Sequence, residues 1–162
     1  MRLVAEAPLW LALILTLLLV AAAVEDAARL RISNITCLLI LAASFVAIAL
    51  TRPEPALWQN IVVFGALLGM GTVLFASGRL GGGDVKLLAA SGLWFDIRSG
   101  IVMLVTVLLA GGILALIVLA LRMFNWSEAA TTRVRMLRPK GGIPYGVAIA
   151  TGVLMSTAML RG

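Results

Sequence analysis

The chain is 162 residues long, with 62% of them in the hydrophobic set, only 12% charged, and a formal net charge of +6. A soluble domain is about half apolar and about a quarter charged, so a water-soluble globule is excluded and the chain reads as a polytopic membrane protein. With no His and a single Cys, Cys37, it has no usual Cys/His zinc site and no internal disulfide, so no metal or cofactor is expected.

A helix needs ~20 residues to cross a hydrocarbon core of about 30 Å. Six apolar runs stand out on that measure, predicting an all-α bundle in one transmembrane domain over 1–162: about 8–24, 35–50, 57–76, 85–95, 101–121 and 143–160. The first run also has signal-peptide features, since Arg2 precedes it and Ala21-Ala22-Ala23 ends it. It is read as a span because it is long for a signal and Glu6 dilutes the basic start. The fourth run is short and opens on Gly81-Gly82-Gly83-Asp84.

Basic residues in short loops stay on the cytoplasmic side. Alternating spans put nine of them (Arg29, Arg31, Arg79, Lys86, Arg122, Arg133, Arg135, Arg138, Lys140) on one side and four (Arg2, Arg52, Arg98, Arg161) on the other. The first set is therefore expected inside and both termini outside. The loop 122–140 reads as a basic, lipid-facing loop, with Trp126 at headgroup level and Ser127 capping a short surface helix. No soluble basic face is present to carry nucleic acid; anionic lipid at the cytoplasmic face is the expected partner.

Only seven carboxylates are present. Glu6, Glu54, Asp96 and Glu128 fall at span ends or in loops, where water or an arginine solvates them. Glu25, Asp26 and Asp84 gather at the cytoplasmic mouth. Three glycines in a row disfavour helix by roughly 1 kcal/mol each, and an aspartate at a span centre costs about 2.5–3.5 kcal/mol on insertion scales; so unfavourable a cluster points to use. Asp26 emerges on the same side as Asp84, so two carboxylates can converge. Glu25 is about 100° around a helix from Asp26, and the residues alone leave the choice between them even.

These residues resemble the type IV prepilin peptidase family of GxGD membrane aspartyl proteases, most closely the short CpaA/TadV-like form of Tad (Flp) pilus systems. Three segments carry the resemblance. Asp26 is followed by Ile32 and Asn34 at the family's D-x5-I-P-N spacing, residues 81–90 read GGGDVKLLAA, and residues 141–152 read GGIPYGVAIATG. The motif proline is Ser33 here, and the first cytoplasmic loop lacks the cysteine-bearing zinc segment of larger members, which leaves methyltransferase activity unsupported.

By position, the resemblance implies Asp26 and Asp84 as the catalytic pair, with Gly81 and Gly83 as the motif glycines. Lys86, of the GxGDxK pattern, either holds a substrate carbonyl or snorkels to the headgroups. Pro144, Tyr145 and Gly146 are expected to pack or break a helix near the site. The resemblance implies cleavage of a prepilin between its cytoplasmic leader and its membrane helix, in a bacterial inner membrane.

The chemistry suits a chain without His: two neighbouring carboxylates sharing a proton supply both base and acid. Their helix ends suggest different starting roles, Asp84 at a helix start as base and Asp26 at a helix finish as acid. The main rival is a proton-coupled transporter or channel, which also uses intramembrane aspartates and broken helices.

Overall fold

A computed structural model of the chain describes residues 3–51, 56–124 and 141–162. The loop prediction for 122–140 and the basic residues in it beyond Arg122 fall outside the described residues, as do Arg2, Arg52, Glu54, Trp126, Ser127 and Glu128. Among the described residues every regular element is a helix: α1 Leu3–Glu6, α2 Leu9–Arg29, α3 Asn34–Thr51, α4 Leu57–Ala76, α5 Gly82–Gly92, α6 Ile97–Arg122 and α7 Tyr145–Arg161. Four of them, α2, α3, α4 and α6, are long and apolar enough to cross a membrane. The six expected runs correspond to α2 through α7, but α5 has 11 residues and α7 has 17.

Where boundaries differ from expectation, the reason is local. Helix α2 runs on through Ala27, Ala28 and Arg29, all good helix formers, so Asp26 sits inside its last turn. It ends where Leu30 takes the left-handed conformation (φ 53°) and gives its N–H to the Asp26 carbonyl at 2.8 Å. Helix α5 begins three residues earlier than the apolar run, because Gly82 and Gly83 form its first turn behind an extended Gly81. The α5–α6 corner is set by Asp96, whose Oδ1 accepts the Ser99 N–H at 2.8 Å and its hydroxyl at 2.6 Å. That carboxylate is a helix cap rather than merely a solvated charge.

Helix α5 is the centre of the bundle. Val85 and all of Leu87–Gly92 are buried, and its neighbours are α4, α3 and α7. From Leu87 onward the helix carries only small or apolar residues apart from Ser91, the composition that suits such a position, while Asp84 and the exposed Lys86 are confined to its first turns. Around it, α2 buries Leu11, Leu15, Leu19, Ala22 and Asp26 on one stripe, while Leu9, Leu13, Leu17 and Val24 stay exposed. Helices α6 and α7 make the most extensive pair. There a Cβ on Gly152 would come within 2.5 Å of the Val107 backbone, and Thr106 Oγ1 bonds the Gly152 carbonyl (2.9 Å) and Ser156 Oγ (2.7 Å).

One end of the bundle is pinned by α1, which the sequence reading did not foresee. Leu3 and Val4 are buried, Val4 N–H donates to the Trp94 carbonyl, and Arg161 donates to the carbonyls of Val4 and Ala7, both at 2.6 Å. The first and last helices, and the end of α5, therefore meet at that end. The end of α2 and the starts of α3, α5 and α7 gather at the opposite one, where the residues of interest lie.

Candidate active site

Asp26 and Asp84 line one cavity of about 280 Å³, together with Leu30, Arg31, Ile32 and the three glycines 81–83. The cavity sits where the last turn of α2, the α2–α3 turn and the first turn of α5 converge. Asp84 is the third residue of α5, and its Oδ2 reaches back to accept the Gly81 N–H at 3.2 Å. This is half a capping box, since glycine has no side chain to complete it. Gly81 also leaves room for that carboxylate, because a Cβ there would lie 2.7 Å from Asp84 Oδ2.

Asp26 is nearly enclosed, at 5% exposure. Its Oδ2 accepts the Gly146 N–H at 2.6 Å, from the first turn of α7. The late Pro144-Tyr145-Gly146 segment therefore does more than pack. Pro144 precedes the helix, where its missing N–H costs nothing; in the opening turn Tyr145 and Val147 give their N–H groups to the carbonyls of Ile143 and Pro144, and the Gly146 N–H goes to the carboxylate. The asymmetry expected from helix ends is cancelled: Asp26 ends one helix but stands at the start of another.

The two acidic neighbours separate clearly. Glu25 turns toward the start of α3, where its Oε2 accepts the Ser33 N–H at 2.9 Å and both oxygens lie within reach of the Thr36 hydroxyl, at 3.3 and 3.2 Å. Asp26 continues the buried stripe of α2 into the cavity. That stripe was the available signal, but in an all-apolar run it has no polar counter-face to reveal it.

Ile32, which the motif spacing names without giving it a role, is the apolar piece of the site. A Cβ on Gly83 would lie 3.2 Å from Ile32 Cβ, and one on Gly146 would lie 2.8 Å from Ile32 Cδ1 and 2.9 Å from Asp26 Cβ and Oδ2. Gly83 and Gly146 are thus the two points where backbone must approach this side chain closely.

Lys86 and Asn34 are brought together, Nζ donating to Oδ1 at 2.8 Å. They stand at one end of an apolar groove of about 310 Å³ lined by Cys37, Leu41, Phe64 and Ala90 among others, outside the aspartate cavity. Tyr145, half-buried, lines a different apolar cleft of about 360 Å³ between α4 and α6. Arg122 ties the end of α6 to the segment before α7 through the carbonyls of Gly141 (2.6 Å) and Gly142 (3.2 Å).

No curated protein and no solved structure matches the chain. A family model does, over residues 13–118, a stretch that contains Asp26, the α2–α3 turn and all of α5 but stops before Gly146. A chain whose described residues form only helices as regular elements, four of them of membrane-crossing length, and which is matched over most of its length in this way, belongs to the type IV leader peptidase family.

Proposed function

We propose that the protein is a prepilin leader peptidase that uses Asp26 and Asp84 as an aspartic dyad, acting on prepilins of the Tad (Flp) type. The observation that carries this reading is the shared cavity: two carboxylates, 58 positions apart in sequence, line one space about the size of a short peptide segment. One carboxylate takes a proton from water as the oxygen attacks the scissile carbonyl carbon, and the other gives its proton to the carbonyl oxygen. The C–N bond then breaks as the first returns its proton to the leaving amine and the second, now ionised, takes back the proton of one hydroxyl of the tetrahedral intermediate, so that a carboxylic acid is released and the pair again holds one proton. The proton belongs to the pair rather than to either residue.

All six apolar helices, α2 to α7, are taken to cross the bacterial inner membrane, with the aspartates at the cytoplasmic side and both termini periplasmic. The nine-to-four distribution of basic residues supports that orientation, and anionic lipid then meets the basic side. At 1.5 Å per residue the 11 residues of α5 span roughly 16 Å, about half a hydrocarbon core. Asp84 therefore lies below the membrane surface, where a substrate helix emerges into the leader. The small glycine-walled cavity supplies water access at that depth.

The test is co-expression with a Tad-type prepilin, scoring leader removal by mass. Wild type should cleave; Asp26→Asn and Asp84→Asn should each lose at least ~100-fold, the lower end of what a general acid or base contributes. The amide in Asp26→Asn keeps an oxygen for the Gly146 N–H, so its loss of activity would report on chemistry rather than folding. Cleavage surviving in both variants would exclude the dyad.

A further inference from the structure

We infer that Glu25 is a positioning residue for the aspartate pair: its carboxylate locks the α2–α3 turn and so keeps Ile32 seated between the backbone segments that present Asp26 and Asp84. The inference rests on the two-aspartate reading and deepens it. Glu25 lies outside the cavity wall, yet it takes the Ser33 N–H and the Thr36 hydroxyl. The bond to Ser33 closes a loop that holds Asp26, the left-handed Leu30, cavity-lining Arg31 and Ile32.

Ile32 is what that loop places. It lies in contact range of Gly83, adjacent to Asp84, and of Gly146, whose N–H holds Asp26. Moving Ile32 changes the gap between the start of α5 and the start of α7, and with it the separation of the two carboxylates.

Position 33 shows what that bond replaces. The motif that this turn resembles carries proline there, which fixes its own φ and holds the preceding residue extended without a hydrogen bond. Ser33 has no ring, but it has the N–H that proline lacks, and that N–H is the group Glu25 binds. A hydrogen bond thus performs in this chain the restraint that a ring performs in the motif. Ser33 Oγ, accepting the Ile35 N–H at 3.1 Å, additionally caps α3.

The test is steady-state cleavage of a prepilin by the full-length protein in lipid nanodiscs, with thermal unfolding of each variant. Glu25→Ala should lower kcat about tenfold, since misplacing reacting groups by ~1 Å costs up to about 100-fold, with KM within about twofold of wild type. Glu25→Gln, whose amide oxygen still accepts, should keep most of the rate. Glu25→Ala combined with Ser33→Pro should regain most of what Glu25→Ala loses.

A folded Glu25→Ala with wild-type kcat and only a lowered Tm would overturn the proposal, leaving Glu25 as a helix cap alone. If Glu25→Ala does not fold, the double variant carries the test: kcat within about threefold of wild type supports the lock, and a double variant that is slow or unfolded overturns it. Failure of the dyad itself is scored separately, by activity in Asp26→Asn and Asp84→Asn.

Discussion

Gly146 gives its N–H to Asp26 Oδ2 at 2.6 Å, joining two residues 120 positions apart. The contact makes the start of the last helix part of the seat of an aspartate on the first long one. It needs a glycine, because any Cβ at 146 would stand 2.9 Å from both Asp26 Cβ and Oδ2. Gly146→Ala should therefore push Asp26 out of place. Overpacking of this kind costs about 1–3 kcal/mol, and cleavage should fall at least ~10-fold because the displaced atom is a reacting one. Leader-removal assays on Gly146→Ala at wild-type expression check this; unchanged turnover would show that the seat is not needed.

The glycines before Asp84 should not be equivalent. A Cβ on Gly82 would meet the Phe75 ring at 3.4 Å, an ordinary contact, whereas one on Gly83 would press on Ile32 at 3.2 Å and on the Ile32 backbone at 3.4 Å. Gly83→Ala should accordingly lose more cleavage than Gly82→Ala, by a margin of about tenfold for a displacement of order 1 Å. The comparison is made on the two variants side by side, and equal losses would contradict the role given to Ile32.

How far the chain could be read in advance depended on what lipid does to pattern. The six apolar runs were legible because each is bounded by charge or glycine, and all six correspond to helices. The faces were not legible: in α2 the buried Leu11, Leu15 and Leu19 alternate with lipid-facing Leu9, Leu13 and Leu17 of the same chemistry. Without a polar outer face, helical period leaves no contrast, so the resemblance rather than periodicity had to choose Asp26 over Glu25. The Gly146 contact was hidden for another reason. It is a backbone donor, invisible in residue type, and it depends on how α7 packs against α2. Helix α1 was missed because four residues are too few for any periodic signal, and its burial depends on Arg161 from the other end of the chain.

Lys86 and Asn34 form one unit, by Nζ–Oδ1 contact at 2.8 Å on an exposed surface. A hydrogen bond from a charged donor contributes about 1.5–3 kcal/mol where it is shielded, and solvent screening on an exposed surface brings such a contact below ~1 kcal/mol. Lys86→Met and Asn34→Ala should each lower stability by less than ~1 kcal/mol, and the double variant by no more than the larger single loss, since partners in one contact are not additive. Thermal unfolding in detergent measures the cycle. Additive losses would mean that Lys86 acts through another group.

Helices α6 and α7 meet at a point that leaves no room for adjustment. The nearest atoms to a Cβ on Gly152 are Val107 Cα and N, both at 2.5 Å, and backbone cannot rotate away as a side chain end does. Beside it Thr106 Oγ1 bridges the Gly152 carbonyl and Ser156 Oγ in a buried cluster, the close approach and hydrogen bonding that small residues permit between membrane helices. Gly152→Val should separate the two helices and abolish the folded form. Thr106→Val, which keeps the volume and removes the hydroxyl, should cost about 0.6–2 kcal/mol. Because the start of α7 seats Asp26, a folded Thr106→Val protein should also lose some cleavage, although Thr106 lies far along α6 from the cavity. Size-exclusion profiles and unfolding midpoints score the first two expectations and leader removal the third; a monodisperse, active Gly152→Val protein would mean that α6 and α7 do not pack in this register.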